Sequence, residues 1–190
     1  MSEEKALVPV FETERLILRA IRESDAPAYE RHFVDYDVIR HMRGTPWPYP
    51  KGGVSDYLQS NVFNRTPETQ RWTWGVFLKT NPDELIGTVD LYREGKPENR
   101  GFWLGKKFWG HGLMTEAVIP ITDYAFDTLG FETLYFDNAL GNLRSRRVKE
   151  KTGARLIRTE PAKLVDPQYT EIEIWELTKQ SWITFKKTCL

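Results

Sequence analysis

The sequence predicts a mixed α/β domain, a mostly antiparallel central sheet flanked by helices, and three observations carry that prediction. Strand-like apolar runs share the chain with segments of helical period. Two of those runs, 72–78 and 85–92, are joined across the turn residues Asn81-Pro82-Asp83, the mark of an antiparallel hairpin. The chain has 190 residues and 40% hydrophobic content, enough for one compact domain to bury a sizeable core. Residues 1–10 are expected to be an N-terminal tail and 11–190 a single domain.

Taken in order, 15–19 reads as a short strand with Leu16 and Leu18 on one face. Ser24 is placed to cap a helix running to about Ile39. Thr45-Pro46-Trp47-Pro48-Tyr49-Pro50 is not helical, because its prolines lack amide donors. A second helix follows near 55–63, then the hairpin, then a polar loop over 93–99. Phe102-Trp103-Leu104 is a short aromatic strand. After a glycine loop, Ala117, Ile121, Ala125 and Leu129 recur every fourth residue and predict a helix packed on the sheet, with a kink at Pro120. Gly130 is placed to end that helix, and 133–136 reads as a buried strand. Asn142 is placed to cap a further helix closed by Gly153. Strands near 154–158 and 171–178 complete the prediction.

Composition excludes several functions. The chain carries 27 basic and 27 acidic residues, so no overall field draws it to nucleic acid or an anionic membrane. No apolar stretch approaches the roughly 20 residues that span a bilayer. The first ten residues lack a basic start and apolar run, so the expectation is a cytoplasmic protein. Cys189 is the single cysteine, which leaves no internal disulfide and argues against a buried catalytic thiolate. His32, His41 and His111 have no metal-ligand spacing, so no metal is expected.

The chemistry points to Gly105 through Thr115, G-K-K-F-W-G-H-G-L-M-T, between a strand and a helix. A glycine turn feeding a helix N-terminus aims free amides and the positive end of the helix dipole at an anion. The nucleotide P-loop pattern fits Gly105 and Gly110 but has His111 and Gly112 where its lysine and hydroxyl belong. The dinucleotide fingerprint fits Gly110 and Gly112 but has Thr115 for its third glycine, and the repeated parallel units of that fold are absent.

Lys107-Phe108-Trp109-Gly110-His111-Gly112 resembles the acetyl-CoA loop of the GNAT superfamily, [QR]-x-x-G-x-[GA], departing conservatively at the first position. Thr13-Glu14-Arg15-Leu16-Ile17-Leu18-Arg19 is similar to the opening strand of the branch that acetylates ribosomal-protein N-termini, the RimJ/RimL-like branch. Gly101-Phe102-Trp103-Leu104, Met114-Thr115-Glu116-Ala117, Asn142-x-x-Ser145 and Glu150-Lys151-Thr152-Gly153 follow in the family's order, so the resemblance spans about 11–178.

The resemblance implies a GNAT-like acyl-CoA N-acyltransferase fold, acetyl-CoA as co-substrate and a primary amine as acceptor. A protein N-terminus or a small molecule such as a polyamine, amino acid or antibiotic would serve. It implies that the backbone of Phe102, Trp103 and Leu104 lies beside the thioester, and that Gly110, Gly112 and Thr115 meet the pyrophosphate. Trp109, Leu113, Met114 and Arg147 complete the cofactor site, Lys107 and His111 lie at its rim, and Asn142 reaches the pantetheine arm. Seven residues after this asparagine many members place a tyrosine that protonates the leaving thiolate; here stands Lys149, and Ser145 is the candidate acid. Asn99 stands where an acidic residue is expected, which leaves Glu98, Asp90 and Glu171 as candidate bases. Trp47 and Tyr49 are candidates for the acceptor rim. Arg144, Arg146, Arg147, Lys149 and Lys151 make one short helix basic, either for the cofactor's phosphate or an acidic acceptor, or as a solvated face. A catalytically silent acyl-CoA sensor is the rival function, and a homodimer is left open.

Overall fold

A computed structural model describes residues 8–64, 70–93 and 99–189. Two antiparallel sheets form its frame. The larger comprises β1 (Phe11–Glu12), β2 (Leu16–Arg19), β3 (Arg71–Leu78), β4 (Asn81–Tyr92) and β5 (Arg100–Leu104), in chain order. The smaller places β8 (Glu171–Thr178) between β6 (Thr133–Ala139) and β7 (Arg155–Pro161). Alternation along the strands builds two cores. Leu16, Leu18, Trp74 and Val89 face the long helix α4 (Leu113–Asp127), whereas Phe77, Leu85 and Trp103 face α1 (Ala26–Phe33) and α3 (Gly53–Leu58). The larger sheet is thus covered on both faces.

Several boundaries differ from the sequence reading, each for a local reason. The single helix expected from Ser24 to Ile39 is three pieces: a 3-10 turn (Glu23–Asp25), α1 and α2 (Tyr36–Ile39). Asp35 interrupts it, because its carboxylate accepts the Asp37 amide at 2.9 Å and caps a new helix. The hairpin turns at Lys79-Thr80 rather than at Asn81-Pro82-Asp83. Asn81 already pairs with Leu78, and a bulge next to that pair absorbs the extra residues. The long helix runs unbroken through Pro120 and ends at Asp127, before Leu129.

Asn142 does cap α5 (Leu143–Glu150), its side-chain oxygen accepting the Ser145 amide at 3.3 Å. Gly153 follows in the left-handed region at φ 75°. A C-terminal helix, α6 (Lys179–Cys189), has no counterpart in the sequence reading. Its Trp182 is buried against the main core and donates to Asp123 at 2.9 Å.

The two sheets meet along β5 and β6, and Asn99 is the joint. Its amide donates to the Tyr135 carbonyl, and its side-chain oxygen accepts the Tyr135 amide, both at 2.8 Å. Its side-chain NH2 lies 3.5 Å from the Thr133 carbonyl. Beyond this joint no pairing joins β5 to β6 among the described residues, and the two edges border a cleft.

Candidate active site

The cleft, about 450 Å³, has β5 and β6 as its two walls, the loop after β5 and the start of α4 at one end, and α5 along its side. On β5, Gly101 and Trp103 stand opposite Asp90 and Thr88, and just past the strand's end the Gly105 amide bonds the Ile86 carbonyl at 2.8 Å. Antiparallel pairing alternates, so the backbone N–H and C=O of Phe102 point out of the sheet edge toward the cleft. The Leu104 carbonyl on the same edge is occupied, accepting the Trp109 indole N–H at 2.6 Å. That bond folds the loop back against its own strand.

The loop makes a 3-10 turn at Lys106–Phe108 and enters α4 through Gly110 and Gly112, whose φ values are 85° and 75°. Side chains rarely adopt that region. A Cβ at Gly110 would meet nothing within 4 Å, and one at Gly112 would meet only the Arg15 guanidinium at 3.7 Å. The space beside both glycines is therefore open to a ligand. The first intrahelical bond runs from the Glu116 amide to the Gly112 carbonyl at 3.0 Å. The amides of Leu113, Met114 and Thr115 precede it at the positive end of the helix dipole.

Arg15 and Glu116 hold this turn in place. Glu116 accepts from the Thr13 hydroxyl, from the Arg15 amide at 2.9 Å and from the Arg15 Nε at 2.7 Å. Arg15 also donates to the His111 carbonyl at 3.0 Å, within the loop itself. Burial works against the charge on Glu116, yet the bonds from Thr13 and Arg15 outweigh it and hold the carboxyl below its ordinary range. Two motif segments far apart in sequence thus meet as one clamp. Sequence reasoning missed both Arg15 and Glu116 as functional residues, because only the fold brings them together.

Among the sequence candidates, the backbone strand Phe102, Trp103 and Leu104 borders the cleft, as do Trp109, Gly110 and Gly112. Leu113, Met114, Thr115, Asn142, Ser145 and Arg147 also line it. The Trp103 indole turns to the opposite face and packs on Tyr29 and Phe33. Lys107 and His111 are exposed and lie off the lining. Trp47 is exposed against Tyr36, and Tyr49 packs edge-on to Phe33 in the second core; neither borders the cleft.

Glu98 lies outside the described residues. Asp90 accepts from Thr73 and sits 3.7 Å from Arg71, which ties it into a network rather than leaving it poised. Glu171 stands at the start of β8, paired with Pro161. Asn99 is the sheet joint, and an aspartate there could accept the Tyr135 amide but could not donate to Thr133.

The basic helix is divided by its surroundings. Arg146 pairs with Glu150 and Glu173, and Arg144 lies 4.1 Å over the Trp109 ring. Arg147 and Lys151 are exposed and line the cleft. Lys149 is buried. Desolvation, followed by the neighbouring Arg100 cation, brings its ammonium down to about 7.

Arg100 is also buried, and burial brings its guanidinium down to about 9. It stacks 3.9 Å over Phe136 and reaches Thr122 at 3.3 Å. Sequence reasoning passed over Arg100, although a charged residue leading into an aromatic strand was the available signal.

Comparison with known proteins bears on the same residues. The family model for the acetyltransferase (GNAT) domain matches residues 15–155, from the Arg15 clamp through α5 into β7. The uncharacterized N-acetyltransferase p20 of Bacillus licheniformis is 30% identical over 125 residues, covering 64% of this chain and 68% of that one. Among solved structures, RimJ of Mycobacterium smegmatis in complex with CoA-disulfide superposes with a TM-score of 0.75 at 18% identity, covering 90% of this chain and 87% of that one. The ribosomal-protein-S5-alanine acetyltransferase of Vibrio fischeri superposes at 0.74 with 18% identity, covering 92% and 99%. At those identities the structural likeness is one of fold. The family match, together with a glycine-entered helix facing two strand edges across an open cleft, shows that this chain is an acetyltransferase belonging to the GNAT family.

Proposed function

We propose that the protein transfers an acetyl group from acetyl-CoA to a primary amine by direct attack through a tetrahedral intermediate, and that its acceptor is the α-amine of a protein N-terminus in the cytoplasm. The observation that carries the reading is the cleft itself. One end offers the amides of Leu113, Met114 and Thr115 beside two open glycines, a fit for a pyrophosphate. The wall offers the backbone of Phe102, which can pair with an amide-bearing arm and polarise a carbonyl. Arg147 and Lys151 add positive charge along the phosphate-bearing part.

Amide formation from a thioester needs a neutral amine, a stabilised oxyanion and a protonated leaving group, and no covalent protein nucleophile. The carboxylates support this acceptor class. Asp90 is engaged by Thr73 and lies beside Arg71, and Asn99 is not acidic, so no strong base is marked among the described residues of β4 and β5. An α-amine, with pKa about 7.7 to 8.0, is partly neutral without help, whereas a lysine near 10.4 is not. The neighbour from Vibrio fischeri, named for acetylating a ribosomal-protein alanine, supports the same acceptor.

Initial CoA release near pH 7 tests this with two peptides, one with a free N-terminus and no lysine, the other blocked and carrying one internal lysine. The free N-terminus should react faster. Faster reaction of the lysine peptide would overturn the acceptor class, and reaction of a small amine alone would move the acceptor to metabolites or antibiotics. Binding of acetyl-CoA without release of CoA to any amine would make the chain a sensor.

A further inference from the structure

Lys149 projects from the inner side of α5, one turn beyond Ser145, and is 1% exposed although it borders the cleft. Its Nζ donates to Ser145 Oγ at 2.8 Å and lies 3.5 Å from the Ser145 carbonyl. From β5 it faces the Phe102 ring at 5.3 Å and the cation of Arg100. From β6 and β8 the charges of Asp137 and Glu173 act on it. Yet Asp137 is held by Arg43, and Glu173 by Arg146 and Asn138. Among the described residues no carboxylate forms an ion pair with Lys149.

A buried ammonium without a counter-ion is costly, and a methionine would fill the same space without that penalty. Packing therefore does not account for this lysine. Its hydrogen bond does suggest a use. Ser145 Oγ accepts from Nζ, so the serine's own proton is free to be donated elsewhere, and Ser145 is half-buried on the cleft side. The pair makes a line from the interior to the wall beside Phe102, where the thioester is placed by the acetyl-transfer reading on which this inference rests.

We propose that Lys149 is the proton source behind Ser145, and that the two together protonate the sulfur that leaves the acyl donor. The amine nitrogen forms the new C–N bond and the tetrahedral intermediate collapses. The C–S bond breaks with its electron pair leaving on sulfur. The Ser145 hydroxyl proton passes to that sulfur as an Nζ proton passes to Oγ. The products are the amide, a CoA thiol, an intact serine and a neutral Lys149. The proton that the amine sheds to water balances the one that recharges the lysine.

A serine hydroxyl alone releases no proton near neutrality. Backed by an ammonium brought down to about 7, it can supply an alkyl thiolate, which is the stronger base.

The test measures kcat, KM and acetyl-CoA affinity for the wild type, Lys149→Met, Lys149→Arg and Ser145→Ala across roughly pH 5.5 to 9.5. Lys149→Met and Ser145→Ala should each lower kcat on the order of a hundredfold, and the double variant by no more than either single one. Calorimetric affinity for acetyl-CoA should stay within about threefold. In the wild type, kcat should fall as pH rises through about 7, the protonated acid being lost, and that limb should vanish in both single variants. Lys149→Arg keeps the positive charge but not a proton released near neutrality, so it should fold and bind without restoring kcat.

Full kcat in Lys149→Arg, or unchanged kcat in Lys149→Met, would overturn the relay while leaving acetyl transfer intact. Absence of turnover in the wild type with every amine would overturn acetyl transfer and the relay with it. Should Lys149→Met fail to fold, Ser145→Ala carries the same expectations with the lysine in place.

Discussion

Glu116 and Lys149 illustrate opposite outcomes of burying a charge. Glu116 is only partly buried and is met by Thr13 and Arg15, so its charged form is favoured. Lys149 is wholly enclosed and met by a neutral hydroxyl, so its charged form is penalised. Removing the Arg15 side chain should loosen the loop rather than unfold the protein, since Arg15 is 44% exposed. Arg15→Ala is expected to weaken acetyl-CoA binding about tenfold, read by calorimetry, while its melting temperature stays close to the wild type's.

For Lys149 the consequence is a stability that depends on pH. The folded state holds its proton only below about 7, while the unfolded chain holds it up to its ordinary value of 10.5. Between those values the unfolded state binds more protons, so stability rises with pH and falls as pH drops toward 7. From pH 9 to pH 6 the loss is on the order of 2–3 kcal/mol. Lys149→Met removes it, so chemical denaturation should show the variant gaining on the wild type at pH 6 relative to pH 9. An equal difference at both pH values would contradict the burial of a titrating lysine.

At the scale of elements, the loop and the two helices behind it act together. Gly112 caps α4 in the left-handed region, and its missing side chain leaves the adjoining space open. Gly112→Val should reduce acetyl-CoA affinity at least about tenfold, about 1.4 kcal/mol, through both backbone strain and lost room. Unchanged affinity of the folded variant would remove the loop from the site. Asn142 caps α5, the helix that carries Ser145 and Lys149. Asn142→Ala should cost about 1 kcal/mol of stability, measured by denaturation, and lower kcat by displacing that pair.

Loop and cap were legible in the sequence because glycine and asparagine announce local backbone geometry. The interruption of the first helical region at Asp35 was not, because a carboxylate in mid-helix caps only if the chain turns there. Helix α6 was missed as well. Its helical face is short, and Trp182 and Phe185 become core only against α4 and Gly153.

Across the whole molecule, function depends on two sheets joined at one end and parted at the other. Asn99 makes the joint with side-chain bonds to Tyr135 and Thr133. Asn99→Ala should cost about 1–3 kcal/mol and reduce affinity for acetyl-CoA, since the angle between β5 and β6 sets the width of the cleft. Loss of stability without any change in affinity would mean that the joint does not shape the site.

The sequence by itself determined the α/β class, most of the strands and the glycine-entered helix, because period, turn residues and spacing act over a few residues at a time. It also determined the family, through motifs laid down in order along the chain. Only the tertiary structure decided that Arg15 grips Glu116 across 101 positions, that Asn99 joins the two sheets, and which of the four basic residues on α5 leaves water. The reason is that desolvation and ion pairing are sums over neighbours. Those around Lys149 come from β5, β6 and β8, which chain order does not bring together.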